Sequence, residues 1–156
     1  MTRIAVVSDS HNMTKSAIAQ AAACIARSNV DLLIHLGDGA ADARALAAQL
    51  GVPLSLVCGN CDRDYTLATE EVHRIEGTKL LICHGHTLAV KLSLLRLSMR
   101  AEEVGAAVAL YGHTHVQRAD EGSCLLLNPG ALRSGHYALL TMSGGAATYD
   151  LCHVDR

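Results

Sequence analysis

The 156-residue chain has no phenylalanine and no tryptophan, and only four tyrosines. Leu, Ile, Val, Ala and Cys must therefore fill its core, and no aromatic platform marks a nucleobase pocket. Half the residues are hydrophobic, enough for a core that needs no disulfides. No stretch approaches the roughly 20 apolar residues of a spanning helix, which argues against a membrane protein. Excess positive charge is also missing: the formal net charge is -2. That excludes broad nucleic-acid coating but not a small anionic ligand. Met1-Thr2-Arg3 leads into a short apolar run, with no leader-like apolar segment. Cys24, Cys58, Cys83 and Cys124 sit inside apolar runs, as small buried hydrophobes do. The expected setting is cytoplasmic, with reduced thiols. No linker, repeat or low-complexity tract interrupts the chain, so residues 1–156 are expected to form a single domain.

What is present begins with a β-α-β-α-β order. Arg3–Ser8, Asp31–Leu36 and Leu54–Cys58 are short apolar runs that predict buried strands. Met13–Ser28 carries an apolar stripe at helical spacing, with Asn12 as candidate N-cap. Ala40–Leu50 is an Ala-rich helix stopped by Gly51. This order predicts a parallel sheet with helices on its faces. The later half reads as hairpins: Glu71–Ile75 with Lys79–Cys83, Val116–Ala119 with Cys124–Leu127, and Tyr137–Met142 with Ala146–Leu151. Leu88–Val104 predicts a helix and Ala107–Tyr111 another strand. A second, mostly antiparallel sheet facing the first is expected, with helices outside.

The chemistry lies in what ends each strand. The first closes on Ser8-Asp9-Ser10-His11 and the second on Gly37-Asp38-Gly39. The third closes on Gly59-Asn60-Cys61-Asp62, and two later ones on His84-Gly85-His86 and Gly112-His113-Thr114-His115. Sites of α/β sheets form at the carboxyl ends of strands, so these side chains are expected to meet at one sheet edge. Carboxylate, imidazole and amide oxygen together suit divalent cations, and Asp-x-His and His-x-His would aim alternate side chains at one ion along an extended chain. Seven donors, Asp9, His11, Asp38, Asn60, His84, His113 and His115, exceed one ion's needs and suit two ions sharing a carboxylate. Such a pair can clamp an in-line phosphoryl displacement, with a bridging hydroxide as nucleophile. Mn²⁺ leads the expectation, and Mg²⁺, Ni²⁺, Zn²⁺ or Fe²⁺ tolerate the same donors.

These motifs resemble the calcineurin-like metallophosphoesterase superfamily, most closely its small bacterial and archaeal phosphodiesterases with Asn-Cys-Asp at the third strand end. The motifs run from Asp9 to Gly130. The resemblance implies a four-layer α/β/β/α sandwich of two mixed β-sheets flanked by helices. It implies one metal on Asp9, His11, Asp38 and His115, a second on Asp38, Asn60, His84 and His113, and a small phosphate-ester substrate. Many relatives carry His where this chain has Cys61. A thiol is a poorer acid–base group than imidazole, which predicts a lean towards diesters.

Cys61 and His86 are the candidate catalytic residues beside the metals. Asp62 is expected to orient a ligand or cap a turn, and His35 to be a satisfied core histidine. His73, His136 and His153 read as structural or surface groups, Asn128-Pro129-Gly130 as a tight turn, and Lys91, Arg96 and Arg100 as a solvent face. Arg133 follows that turn, where substrate contact is more plausible. The leucines of the Leu88–Val104 segment exceed one helical face, which points to exposed leucines able to pack in a homo-oligomer. A non-catalytic binding scaffold of the same fold is the competing function, but such proteins often lose ligands, and all seven are present here. A structural zinc site would be a closed, Cys-rich four-ligand set, unlike this one.

Overall fold

The computed structural model describes residues 1–155. The first sheet contains β1 (Thr2–Val7), β2 (Leu32–His35) and β3 (Leu54–Leu56), joined in parallel. The last two strands, β9 (His136–Ser143) and β10 (Ala146–His153), complete it in the order β10-β9-β1-β2-β3. The second sheet comprises β4 (Glu70–Ile75), β5 (Thr78–Cys83), β6 (Val108–Leu110), β7 (Gln117–Asp120) and β8 (Leu125–Pro129), ordered β4-β5-β6-β8-β7.

Alternation along the strands builds the layers. Ile4, Val6, Leu80, Ile82, Val108, Leu110, Ala138, Leu140 and Met142 meet between the sheets. Their neighbours Ala5 and Val7 turn outward onto α1 (Lys15–Ala26) and α2 (Ala40–Leu50). Leu81, Cys83, Ala109 and Tyr111 turn outward from the second sheet, beneath α3 (Leu95–Val104). A period of two thus gives the central strands two buried faces, while β4, β7 and β10 stay partly exposed, and the result is the expected α/β/β/α sandwich. The inner layer uses branched aliphatics and the outer ones are rich in alanine, so a core without Phe or Trp still closes. Leu97, the one large α3 side chain with no exposure, contributes about 1.5–3 kcal/mol by burial.

Four expectations are corrected. The second sheet is mixed, as the resemblance implies, and not mostly antiparallel as the element order suggests, because β6 pairs in parallel with both β5 and β8. The final hairpin belongs to the first sheet, where β9 pairs antiparallel with β1 in the register Ile4↔Leu140. Its inward Ala138, Leu140 and Met142 fill the space between the sheets from that side. The α1 N-cap is Thr14, whose hydroxyl accepts from the Ala17 amide at 3.2 Å, while Asn12 sits at a left-handed φ of 60°. The third helix is shorter than Leu88–Val104, because Gly85 (φ 105°) and Ala89 (φ 52°) are left-handed and hold the chain in tight turns before Leu95. Glycines stop α2 and α3 as expected, with Gly51 and Gly105 at φ 67° and 72°.

Candidate metal centre

The two sheets present their site-bearing ends to the same place. The loops after β1, β2 and β3 supply Asp9, His11, Asp38 and Asn60. Those after β5 and β6 supply His84, His113 and His115 from the opposite sheet. The site is therefore shared between sheets rather than lying on one sheet edge. All seven side chains meet there.

They meet as two groups with no shared member, linked by a third set of His11, Asp38 and Cys61. Asp9, His11 and His115 form one, and Asp38, His84 and His113 the other, each with its donor atoms within 4.8 Å of one another. In the first, His115 Nε2 lies 3.1 Å from Asp9 Oδ1 and 3.3 Å from His11 Nε2. In the second, His84 Nε2 is 3.3 Å from Asp38 Oδ2 and 3.0 Å from Asn60 Oδ1. Asp38 Oδ2 is also 3.9 Å from His11 Nε2, so one carboxylate oxygen stands between the groups. The backbone reason is not an extended chain. Asp9, His11, Asp38, His113 and His115 all have φ between 49° and 69°. Residues with side chains rarely adopt this left-handed conformation, which curls each loop around the centre. His113 and His115 accordingly fall in different groups.

Surrounding hydrogen bonds aim the donors. The Nδ1–H of His84 donates to the Leu36 carbonyl at 2.7 Å, which aims its Nε2 at the centre. Ser8 Oγ donates to Asp9 Oδ2, as does the His113 amide. The Cys61 amide donates to Asp38 Oδ1 at 2.7 Å. Asn128 holds the His113 loop from below: its side-chain amide donates to Gly112 O and Thr114 Oγ1, while its oxygen accepts from Gly130 N–H. Asn128-Pro129-Gly130 is thus a brace for that loop. Two glycines are enforced by crowding. A Cβ on Gly59 would lie 2.1 Å from Asp38 Oδ1, and one on Gly112 would lie 2.1 Å from Ser8 Oγ.

Asp62 resolves as a loop clamp. Its carboxylate accepts the amides of Asp38, Gly39, Ala40 and Gly59, tying the β2 exit to the β3 exit. Burial pushes its carboxyl up, but those four amides outweigh burial and hold it below the usual range. Burial likewise works against the Asp38 charge, and the His84 and Cys61 hydrogen bonds reverse the balance, leaving it well below ordinary carboxylates. Burial drives His113 down, reinforced by His84 and Lys91, which favours the neutral, ligating imidazole. The crowding of lone-pair atoms from His11, His115, His84, Asp9 and Asp38 fits a divalent cation, the natural partner of such a donor set.

Cys61 lies at the exposed rim, with its Sγ within 4.8 Å of donor atoms of His11 and Asp38. Burial and the Asp38 charge raise its thiol. The His86 ring packs 5.3 Å from His84 and 6.2 Å from His113. Its Nδ1 is buried with no hydrogen-bond partner among the described residues. His73 bonds Glu71, and His136 stacks against His153, all away from the centre. Arg100 pairs with Glu70 and Glu103. Ser8 had no sequence signal of its own, because its role depends on Asp9 Oδ2 being turned towards it.

His35 is the satisfied core histidine expected. The Gly37 amide donates to its Nδ1, so Nε2–H donates to Ser10 Oγ. Burial pushes it from 6.5 down to about 4. The native state needs it neutral, so stability is fully present above pH 6.5 and falls as the pH drops towards 4. The loss is about 3 kcal/mol across that window. Urea midpoints measured from pH 7 to 4.5 should show this decline, and His35→Asn should flatten it.

A two-sheet α/β sandwich with carboxylates and imidazoles gathered at shared strand ends defines a metallophosphoesterase-type protein. Residues 2–145 match the model of the calcineurin-like phosphoesterase superfamily domain. The chain is 35% identical over 153 residues to the probable metallophosphoesterase YsnB of Bacillus subtilis, covering 93% of this chain and 87% of that one. A probable metallophosphoesterase of Methanocaldococcus jannaschii is 32% identical over 130 residues, or 82% of this chain and 67% of the relative. The crystal structure of a predicted phosphoesterase from Streptococcus pneumoniae superposes with a TM-score of 0.78 at 28% identity, over 97% of this chain and 89% of that one. Entamoeba histolytica Vps29 complexed with Zn²⁺ shares the fold, with a TM-score of 0.79 at 19% identity over 99% of this chain and all of that one. This chain belongs to the calcineurin-like phosphoesterase superfamily. It is a metal-binding hydrolase of the phosphate-ester class by that membership. No helix among the described residues is long and apolar enough to cross a membrane.

Proposed function

We propose that the protein is a phosphodiesterase that holds two divalent cations, Mn²⁺ first among the candidates. One would sit on Asp9, His11, Asp38 and His115, the other on Asp38, Asn60, His84 and His113. The observation that carries this reading is Asp38 Oδ2, placed 3.3 Å from His84 Nε2 and 3.9 Å from His11 Nε2 at the junction of the two groups. Cations held there supply Lewis acidity, polarising phosphoryl oxygens and making a water acidic enough to attack phosphorus. The chain's own part is to fix that geometry. His84 is locked by Leu36, Asp38 by the Cys61 amide, and Asp9 by Ser8 and the His113 amide. His86 stands at the rim, neutral under burial and its His84 neighbour, where it can position a phosphoryl oxygen.

The preference for diesters rests on Cys61. A raised thiol offers neither a positive charge nor an efficient proton donor to a leaving oxygen. A monoester dianion places more negative charge at that spot than a diester does. Bis(p-nitrophenyl) phosphate should therefore be turned over with added Mn²⁺, faster than p-nitrophenyl phosphate, and chelation should stop it. Cys61→His should raise kcat/KM on phenyl phosphate, a monoester whose poor leaving group needs a proton, by roughly 100-fold or more, the low end of what general acid catalysis supplies. An unchanged monoester-to-diester ratio would remove the argument. Absence of turnover with every divalent metal would shift the reading to a binding platform.

A further inference from the structure

We propose that Arg63 forms a second anion subsite, so that the substrate is a phosphate ester carrying another negatively charged group beyond the scissile phosphate. This rests on the metal-centre reading above and extends it to the rest of the substrate. The observation is a cavity of about 200 Å³ whose lining joins His11, Asp38 and Cys61 of the centre to Asn12, Ala41 and Arg63. Arg63 is the only Lys or Arg on that lining.

The charges around the cavity are already committed, and Arg63 is not. Asp62, its neighbour, spends its carboxylate on four backbone amides. Asp64 pairs with Arg44 at 3.0 Å. Asp38 accepts the Cys61 amide and belongs to the centre. Among the described residues, Arg63 has no hydrogen-bond or ion-pair partner, whereas Arg44, Arg100 and Arg118 all pair with carboxylates. A guanidinium flanked by two aspartates yet bound to neither is available for a ligand. Arg133 and Lys91 are also without carboxylate partners among the described residues, but they do not line this cavity. Guanidinium recognises carboxylate or phosphate through paired N–H donors, so either anion suits the subsite.

The shared wall puts the second anion on the ester substituent that faces Cys61, the leaving-group side. Cys61 stands between Arg63 and the Asp38 junction in sequence, and all three share the cavity wall. A phosphate at the centre would leave its substituent lying along Cys61 towards Arg63.

The test uses non-hydrolysable ligands on the Mn²⁺-loaded protein. Phenylphosphonate and its 3- and 4-carboxylated forms are compared by calorimetry. The wild type should bind the better carboxylated ligand at least about tenfold more tightly than phenylphosphonate, as a charge-assisted contact predicts. Arg63→Ala should bring the ratio within about twofold while leaving phenylphosphonate affinity unchanged, and Arg63→Lys should keep part of the preference. Equal affinities in the wild type, a preference that survives Arg63→Ala, or failure of all three ligands to bind would each overturn the subsite. Because the readout needs no turnover, an inactive protein that still shows the Arg63-dependent preference would retire the hydrolytic reading and leave the anion subsite standing as a binding site.

Discussion

Asp38→Asn is expected to reduce phosphodiester turnover on the order of 1000-fold or more, about 4 kcal/mol of lost transition-state stabilisation. It should also lower cation occupancy from about two equivalents per chain to one or fewer. The substitution keeps size and shape, and the amide oxygen can still accept from the Cys61 N–H that now bonds Oδ1 at 2.7 Å. What it removes is the charge at Oδ2, the atom that faces both His84 and His11. An amide cannot serve two cations as a carboxylate does, so both groups weaken together. Metal content by mass spectrometry and cation binding by calorimetry read the effect without turnover. Chelation should lower the melting temperature of the wild type and affect the variant much less, because only the form that binds cation is stabilised by it. Full occupancy and full activity in Asp38→Asn would dismantle the proposed centre.

The second large effect is expected at Asp62, which touches no candidate metal position. Asp62→Ala leaves the amides of Asp38, Gly39, Ala40 and Gly59 without their acceptor. Charge-assisted bonds of this kind contribute about 1.5–3 kcal/mol each when intact. Asp62 is half-buried, so water replaces some of them, and the net loss should be roughly 2–4 kcal/mol. Cation affinity should fall roughly 10–100-fold, the usual cost of losing a group that orients ligands. Asp62→Asn should be intermediate, since one oxygen and no charge remain. Denaturant unfolding with and without Mn²⁺ separates the two losses. If stability falls but the affinity of the folded protein does not, Asp62 braces the fold and not the donors.

The exposed leucines bear on assembly. Leu92, Leu95 and Met99 are 89%, 64% and 60% exposed. Leu95 and Met99, four residues apart, share one side of α3, while Leu92 lies in the turn before it. The sequence expectation of surplus leucine outside the core is met, and an oligomer built on that stripe remains a proposal.

Much of the site was legible because its signals are local. A Gly, Asp, Asn or His just after an apolar run marks a strand end whatever the strand packs against. That logic found Asp9, His11, Asp38, Asn60, His84, His113 and His115 without knowing which sheet each strand joins. The same locality explains the errors. Asn12 looked like a cap by residue type, but the left-handed turn at His11 and Asn12 moved the cap to Thr14 and the helix start to Lys15. Leu88–Val104 looked helical by composition, but the left-handed Gly85 and Ala89 delay the helix. The last hairpin looked like part of the second sheet because hairpins preceded it, yet its partner is β1, more than 130 residues earlier in the chain.

By itself, then, the sequence determined the α/β layering, the donor types and their placement at strand ends, since periodicity and punctuation are properties of short segments. Tertiary structure alone decided that two sheets share the centre and that His113 and His115 part company. It also decided that Asp62 clamps two loops and that Arg63 is left unpaired beside them. Those outcomes depend on distances between residues far apart in the chain, and on left-handed turns that no local pattern announces.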